Sequence, residues 1–498
     1  MKERTQLDKT LKPHWVWAIA LGSAIGWGSF VLPADWMAKP GPIGAAIGFG
    51  IGGLLMILIA VSYGFLIRHF PVSGGEFAYA YLGSGRTNAY ICGWFLALGY
   101  MSIVALNASA MALLFKFTIP QVAMKGQMYS IAGWDVYITE VLIATAALCV
   151  FAWLNIRGAS FSGRLQFIFC VVLVLGVAAL AFGMFTHSAS SFSHLQPVFN
   201  PEIPALSAIL TIVAIAPFAY VGFDNVPQSA EEFDFPAKKA FSLIVWALIF
   251  ATLIYITNIL FTAVAMPWQE LVAKQSIWGT GDVISGAFGS VGLSVLAIAI
   301  CMGIFTGLNG FYVSASRLLF AMSRAKIIPE VFGKLHPTYR TPYAGILFTM
   351  VICLAAPWFG RQVLLWIVDM ASIGVAVAYF YTCFAAYKFF RWSGNNDTVM
   401  EGAVSPARKF CSLLGLIASL VFVGLLAVPG SPAFMGVPSW IALLIWLVIG
   451  AVFYGVRGKA FRQIPKEELD YYILGEHSHL ASGFHQQVPA DTDEKAAP

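Results

Sequence analysis

An all-α integral membrane protein with about twelve transmembrane helices is the fold class the sequence predicts, and three observations carry that reading. Hydrophobic residues make up 59% of the 498-residue chain and charged residues only 11%, with a mean hydropathy of +0.78. That leaves too little polar surface to coat a water-soluble body of this size. Long apolar runs recur between turn and charge signals, and a hydrocarbon core about 30 Å thick takes about 20 apolar residues per helix. The basic residues, finally, gather on one side of the runs.

In chain order the predicted spans 1 to 12 cover 13–33, 42–68, 89–115, 129–154, 161–185, 205–231, 240–266, 288–321, 342–358, 362–390, 410–429 and 437–456. With the N-terminus (1–12) in the cytoplasm, only Lys39, Lys116, Lys125, Lys274 and Arg361 of the 29 Lys and Arg fall outside, as the positive-inside rule requires. The opposite orientation inverts that bias. A multi-pass protein of a plasma membrane or bacterial inner membrane, with both termini cytoplasmic, is therefore expected. Lys2, Arg4, Lys9 and Lys12 precede span 1, whose run reaches Pro33 without a small-residue cleavage site, so no cleaved signal peptide is expected. The outer loops 116–128, 186–204 and 267–287 are too short for an inserted domain, and the last has room for a short surface helix near Trp278. The polar tail 465–498 reads as disordered. Its Glu476, His477, His479 and His485 are read as solvated rather than as metal ligands.

The seven cysteines fall singly in or beside apolar runs without CxxC spacing, so neither disulfides nor a structural zinc are expected. The net charge of +5 is spread over short loops, which excludes a nucleic-acid partner. The partners implied are the lipid bilayer and a small molecule.

Function is written into two spans. Span 1 carries Gly22, Gly26 and Gly28 within seven residues, a poor way to build a continuous buried helix. Span 6 carries Pro217, Gly222 and Pro227, and each proline removes a backbone donor. Two interrupted helices five spans apart are the mark of carriers built from inverted repeats, which bind substrate between the breaks near the bilayer midplane. The repeats would be 13–185 and 205–391, with two additional helices in 410–456. An unwound segment frees N–H groups for a carboxylate and C=O groups for an ammonium, which suits a zwitterion.

The residues also resemble a known family, the amino acid, polyamine and organocation (APC) permeases. Four stretches carry the resemblance: Gly22-Ser-Ala-Ile-Gly-Trp-Gly-Ser-Phe30; Phe70-Pro-Val-Ser-Gly-Gly-Glu-Phe-Ala-Tyr79 with Gly93-Trp94; Tyr220-Val-Gly-Phe-Asp224 with Ala230-Glu-Glu232; and Ser316-Arg-Leu-Leu-Phe-Ala-Met-Ser-Arg324 with Leu335-His-Pro and Arg340-Thr-Pro342. The resemblance implies a leucine-transporter-like 5+5 inverted repeat plus two C-terminal helices. It also implies alternating access for amino acids or related amines. Three departures stand out: Trp27 where many relatives have a small residue, Phe233-Asp-Phe-Pro where they have Asn-Pro with Ala325-Lys326 in place of Asp-Gly, and no lysine in span 5. That last departure removes the proton site some relatives use.

The expected substrate site comprises Ser23, Ala24, Ile25, Gly26, Trp27 and Gly28 of span 1, Phe218, Tyr220, Gly222, Phe223 and Asp224 of span 6, Asn107 of span 3 and Asn309 of span 8. Asp224, at membrane depth, has three roles open to it: binding an ammonium, taking up a proton, or capping the broken helix. Asp369 in span 10 either gates or bonds a neighbouring helix. Asn107 and Asn309 serve more readily as interhelical glue, and Ser314 and Ser316 more readily bond their own helix than a sodium ion. Glu231 and Glu232 read as gate residues pairing with Arg68 or Arg324. No clustered nucleophile, base or metal ligands suggest an enzyme, and no repeated pore element suggests a channel. A neutral or small amino acid is the favoured substrate, with organic amines, polyamines or cationic amino acids as the alternative and a non-transporting sensor behind both. No cofactor is expected. The coupling ion, a proton or sodium, and the oligomeric state stay open.

Overall fold

The computed structural model describes residues 4–131, 134–274, 276, 278–360, 362–392, 405–431 and 433–480. Nine helices among them are long and apolar enough to cross a membrane. They occupy the places of spans 2 to 5, 7, 8 and 10 to 12. Span 9 is the shorter helix Tyr343–Cys353 followed by a 3-10 turn, Ala356–Phe359, and spans 1 and 6 are interrupted.

Span 1 starts at Pro13, a residue preorganised for a first helical turn, and runs to Ile25. Gly26 then takes φ 55° and ψ −178°, a conformation only glycine adopts without strain. The chain resumes as Gly28–Val31 and Pro33–Ala38. Span 6 runs over Ala205–Ala214, kinks into Ala216–Ala219 around Pro217, and unwinds from Tyr220 to Asp224 before Asn225–Gln228 and the turn Ala230–Glu232. The two breaks touch. Gly222 has φ 131°, and a Cβ there would lie 2.6 Å from Ala24 N and Ser23 C, so backbone packs on backbone.

Four side chains from other spans satisfy carbonyls around this crossing. Tyr255 of span 7 (Ala240–Val264) places its hydroxyl 2.9 Å from Ala24 O and 2.6 Å from Ala219 O. Asn258 donates to Ser29 O at 2.8 Å. Thr306 of span 8 (Gly279–Arg324) donates to Gly22 O at 2.8 Å, and Gln166 of span 5 (Ala159–Thr186) to Ala18 O at 3.2 Å. Each buried carbonyl left unpaired would cost about 1–3 kcal/mol.

Three expectations are corrected. The connection ahead of span 3 is itself helical: Gly75–Thr118 is two helices joined at Gly85 (φ 80°, ψ −170°), and span 3 is the part after that break, close to its expected start at 89. Span 4 begins at Ile138, because 127–137 forms an antiparallel hairpin of Gln127–Ile131 with Trp134–Tyr137. The tail is not disordered throughout: Lys466–Leu474 is a helix whose Leu469, Ile473 and Leu474 are buried. The 267–287 loop does hold a short helix, Trp268–Ala273. Arg361, His485 and residues 481–498 lie outside the described residues.

Both described ends of the chain meet on one face, called here the terminal face. Thr10 N and Leu11 N donate to Glu232 O at 2.9 and 2.8 Å, and Asp234 N returns a bond to Leu11 O. Gly222→Ala is expected to lower the thermal unfolding temperature of the detergent-solubilised protein, an overpacking cost of about 1–3 kcal/mol, and to abolish transport. Gly286→Ala, where a Cβ meets nothing within 4 Å, should change neither.

Candidate functional site

The crossing of spans 1 and 6 gathers most of the residues expected of the site. Ser23, Ala24, Ile25, Phe223 and Asp224 are buried, Gly222 sits on Ser23 and Ala24, and Gly26, Trp27, Gly28 and Phe218 are half-buried beside them. Space is open at Gly26, where a Cβ would meet nothing within 4 Å. Phe223 stacks on Tyr379 of span 10 (Gln362–Trp392), ring centroids 5.4 Å apart, and meets Tyr63 of span 2 (Gly41–His69) edge-on.

Asp224 is bonded within the protein at both carboxylate oxygens. Its Oδ1 accepts from Gly222 N–H at 2.6 Å and its Oδ2 from the Tyr100 hydroxyl at 2.9 Å. The carboxylate therefore ties the unwound strand of span 6 to span 3. At the crossing, Ser23 Oγ and both polar atoms of the Asn225 amide are among the buried polar groups without a hydrogen-bond partner. They lie together beside Gly310 of span 8, and unpaired groups at such a depth suit a polar ligand or water.

Some expected residues point elsewhere. The Tyr220 hydroxyl donates to Phe49 O at 2.7 Å and accepts from Thr252, so it fastens span 6 to spans 2 and 7. Asn309 accepts from Asn155 and Ser162 and donates to Gln166 at 2.8 Å, joining span 8 to spans 4 and 5. Asn107 bonds its own helix at Ile103 O and packs on Gly307. Asp369 accepts from Ser439 of span 12 at 2.6 Å. Ser316 bonds Val313 O of its own helix.

Of the expected ion pairs, Glu231 with Arg324 forms, at 3.0 Å, and Arg4 approaches the same carboxylate at 3.3 Å. Glu232 pairs instead with Arg317, not with Arg68 or Arg324, through two bonds of 2.8 and 3.1 Å between wholly buried groups. Leu7 N and Ser73 N complete the Glu231 shell. Arg4 also reaches Tyr472 O on the C-terminal helix. Burial and the nearby Arg324 lower the Arg4 guanidinium to about 10, against the pull of Glu231, so it stays charged at neutral pH. Arg68 lines a separate hollow with Lys238, Phe241 and Arg408. The arginine pairing did have a sequence signal: Arg317 and Arg324 are seven residues apart, two turns along one helix face, opposite two adjacent glutamates.

Sequence reasoning missed Tyr100, Asn225, Tyr255 and Glu76. Glu76 lies fully buried in the helix ahead of span 3, accepting from the Tyr63 hydroxyl at 3.0 Å and from the Gln228 amide.

A many-spanned helical membrane protein that encloses unpaired polar groups between two interrupted helices, sealed on one face by ion pairs, is a solute carrier. The amino acid permease family model matches residues 15–452, and the chain belongs to that family, within the APC superfamily. It is 26% identical to a methylthioribose transporter of Bacillus subtilis over 90% of this chain and 93% of that protein. It is 23% identical to a histidine permease of Lactococcus lactis over 94% and 99%. It is 25% identical to an L-asparagine permease of Escherichia coli over 90% and 89%.

Removing one partner of a buried ion pair costs about 3–5 kcal/mol because the other charge is stranded. Arg317→Gln is therefore expected to lower the unfolding temperature sharply, and the double variant Arg317→Gln, Glu232→Gln to recover part of the loss, as a double-mutant thermal-melt cycle would measure.

Proposed function

We propose that this permease is a secondary active transporter of a neutral or small amino acid, working by alternating access between the breaks of spans 1 and 6. The observation that carries the substrate class is the state of Asp224. It is buried, and each of its oxygens already accepts a hydrogen bond, from Gly222 N–H and from Tyr100, so a second ammonium would have to displace or share those bonds. A polyamine or cationic amino acid would want a free carboxylate there. The unwound backbone around Gly26 offers N–H groups to a substrate carboxylate, while Ser23 and Asn225 supply unpaired polar groups at the crossing. Trp27 lends an indole face to the substrate ammonium or side chain.

The terminal face is the cytoplasmic one, on the positive-inside argument, and the membrane is a plasma or bacterial inner membrane. On this reading Glu231, Glu232, Arg317 and Arg324 close the inner gate and the substrate site communicates with the outside. A proton is the coupling ion preferred over sodium, because the buried carboxylates of the core sit among neutral donors. Breadth among relatives, one of which is a methylthioribose transporter, puts neutral polar solutes other than amino acids in the test panel.

Uptake into liposomes loaded with the purified protein, with radiolabelled amino acids, amines and methylthioribose under imposed proton or sodium gradients, tests the reading. Neutral amino acids should be taken up and compete with one another, and polyamines should not. Failure of every amino acid to move or compete would overturn it. Asn225→Ala should raise KM about tenfold, the value of one lost polar contact. Asp224→Asn with unchanged transport and pH dependence would leave Asp224 a purely structural cap.

A further inference from the structure

One buried carboxylate is not used by the reading above. Glu76 stands in the first turn of the helix that begins at Gly75, ahead of the Gly85 break and span 3, on the terminal-face side of the crossing, and is inaccessible to solvent. Its Oε1 accepts from the Tyr63 hydroxyl at 3.0 Å and its Oε2 lies 2.5 Å from the Gln228 amide. Among the described residues no lysine, arginine or histidine forms an ion pair with it. The titratable groups facing it are all neutral phenols, a thiol and one more acid: Tyr63 of span 2, Asp224 of span 6, Tyr79 of its own helix, Cys92 and Tyr100 of span 3, and Tyr379 of span 10. Hydrogen bonding alone does not offset a bare carboxylate in such surroundings.

The partner on span 6 suits both protonation states. Gln228 presents an amide whose nitrogen faces Glu76 while its oxygen is buried and unpartnered. Turned end for end, the same amide accepts a hydrogen bond from the O–H of a neutral Glu76. Gln228 is one helical turn beyond Asp224, and Glu231 is three residues further on. Ser73 N, three residues before Glu76, bonds Glu231 itself. Opening the Glu231 and Glu232 ion pairs is thus what would admit water to Glu76.

We infer that Glu76 is the binding site of the co-transported proton, with Gln228 as the partner that reports its protonation to span 6. The inference rests on the transporter reading. On the entry side a hydronium ion loses one O–H bond as the Glu76 O–H bond forms, leaving water; once the ion-pair seal parts, the Glu76 O–H bond breaks as water on the terminal-face side takes the proton, and the carboxylate returns.

The test uses the full-length protein in liposomes and compares accumulation of a transported amino acid driven by a proton gradient with counterflow exchange of the same solute without a gradient. Glu76→Gln is expected to cut gradient-driven accumulation about tenfold more than it cuts counterflow, the size of an ordinary coupling between two sites, and to flatten the pH profile. Glu76→Asp should keep gradient-driven uptake with a displaced pH midpoint. Equal losses in both assays, or an unchanged pH profile in Glu76→Gln, would make Glu76 a structural hydrogen-bonding residue and overturn the inference. Should Glu76→Gln fail to insert, wild-type protein decides it. Substrate-coupled proton movement in weakly buffered liposomes supports a proton site, and sodium-driven accumulation without proton movement overturns it while counterflow upholds the carrier. Absence of counterflow in wild type would instead bring down the transporter reading.

Discussion

Everything in this molecule depends on one hydroxyl and the carbonyls it holds. A helix interrupted in the membrane exposes backbone groups that lipid cannot satisfy, and here the loose ends of both interrupted spans converge on Tyr255. Its oxygen lies within hydrogen-bonding distance of Ala24 O, Ile25 O and Ala219 O, carbonyls at the edges of the two breaks. Gly222 can then press against Ser23 and Ala24. Asp224 performs the complementary service for a donor, accepting Gly222 N–H. With acceptors satisfied by Tyr255 and a donor by Asp224, the crossing is held open as a site instead of collapsing into continuous helix.

That arrangement assigns different work to residues that look alike. Asn309 and Asn225 are both amides at depth, yet Asn309 has its amide filled by Asn155, Ser162 and Gln166, whereas Asn225 has no protein partner. A satisfied amide stiffens the scaffold. An unsatisfied one is costly unless something binds it. The same contrast separates Asp369, bonded to Ser439 of span 12, from the polar groups of the crossing.

The parts of this design that were legible in the sequence were those with local backbone causes. Gly26, Pro217 and Gly222 dictate where a helix stops whatever packs around it, so both breaks were readable. The pairing of Glu232 was not, because whether it meets Arg317, Arg324 or Arg68 depends on how spans 6 and 8 are rotated against each other. Glu76 escaped notice for a related reason. The stretch ahead of span 3 reads as a loop, whereas from Gly75 to the break at Gly85 it folds as a separate helix, which buries Glu76. The helix Lys466–Leu474 was hidden in a polar tail, with Leu469 and Ile473 one turn apart as its faint amphipathic signal.

The spacing along span 6 gives these separate features a common mechanical basis. Asp224, Gln228 and the Glu231-Glu232 pair recur at intervals of about one turn, so the site, the neutral amide and the ion-pair seal are carried by one short stretch of chain. Each is bound to a different neighbour: Asp224 to Tyr100, Gln228 to Glu76, Glu231 to Arg324, Arg4 and Ser73, and Glu232 to Arg317. A stretch so short cannot shift at one of these points while staying fixed at the rest. Movement that loosens the seal must therefore disturb the Gln228 amide and the Asp224 cap together. In the proposed transport cycle this segment rocks as a unit, with the unwound residues from Tyr220 to Asp224, Gly222 at their centre, as its hinge.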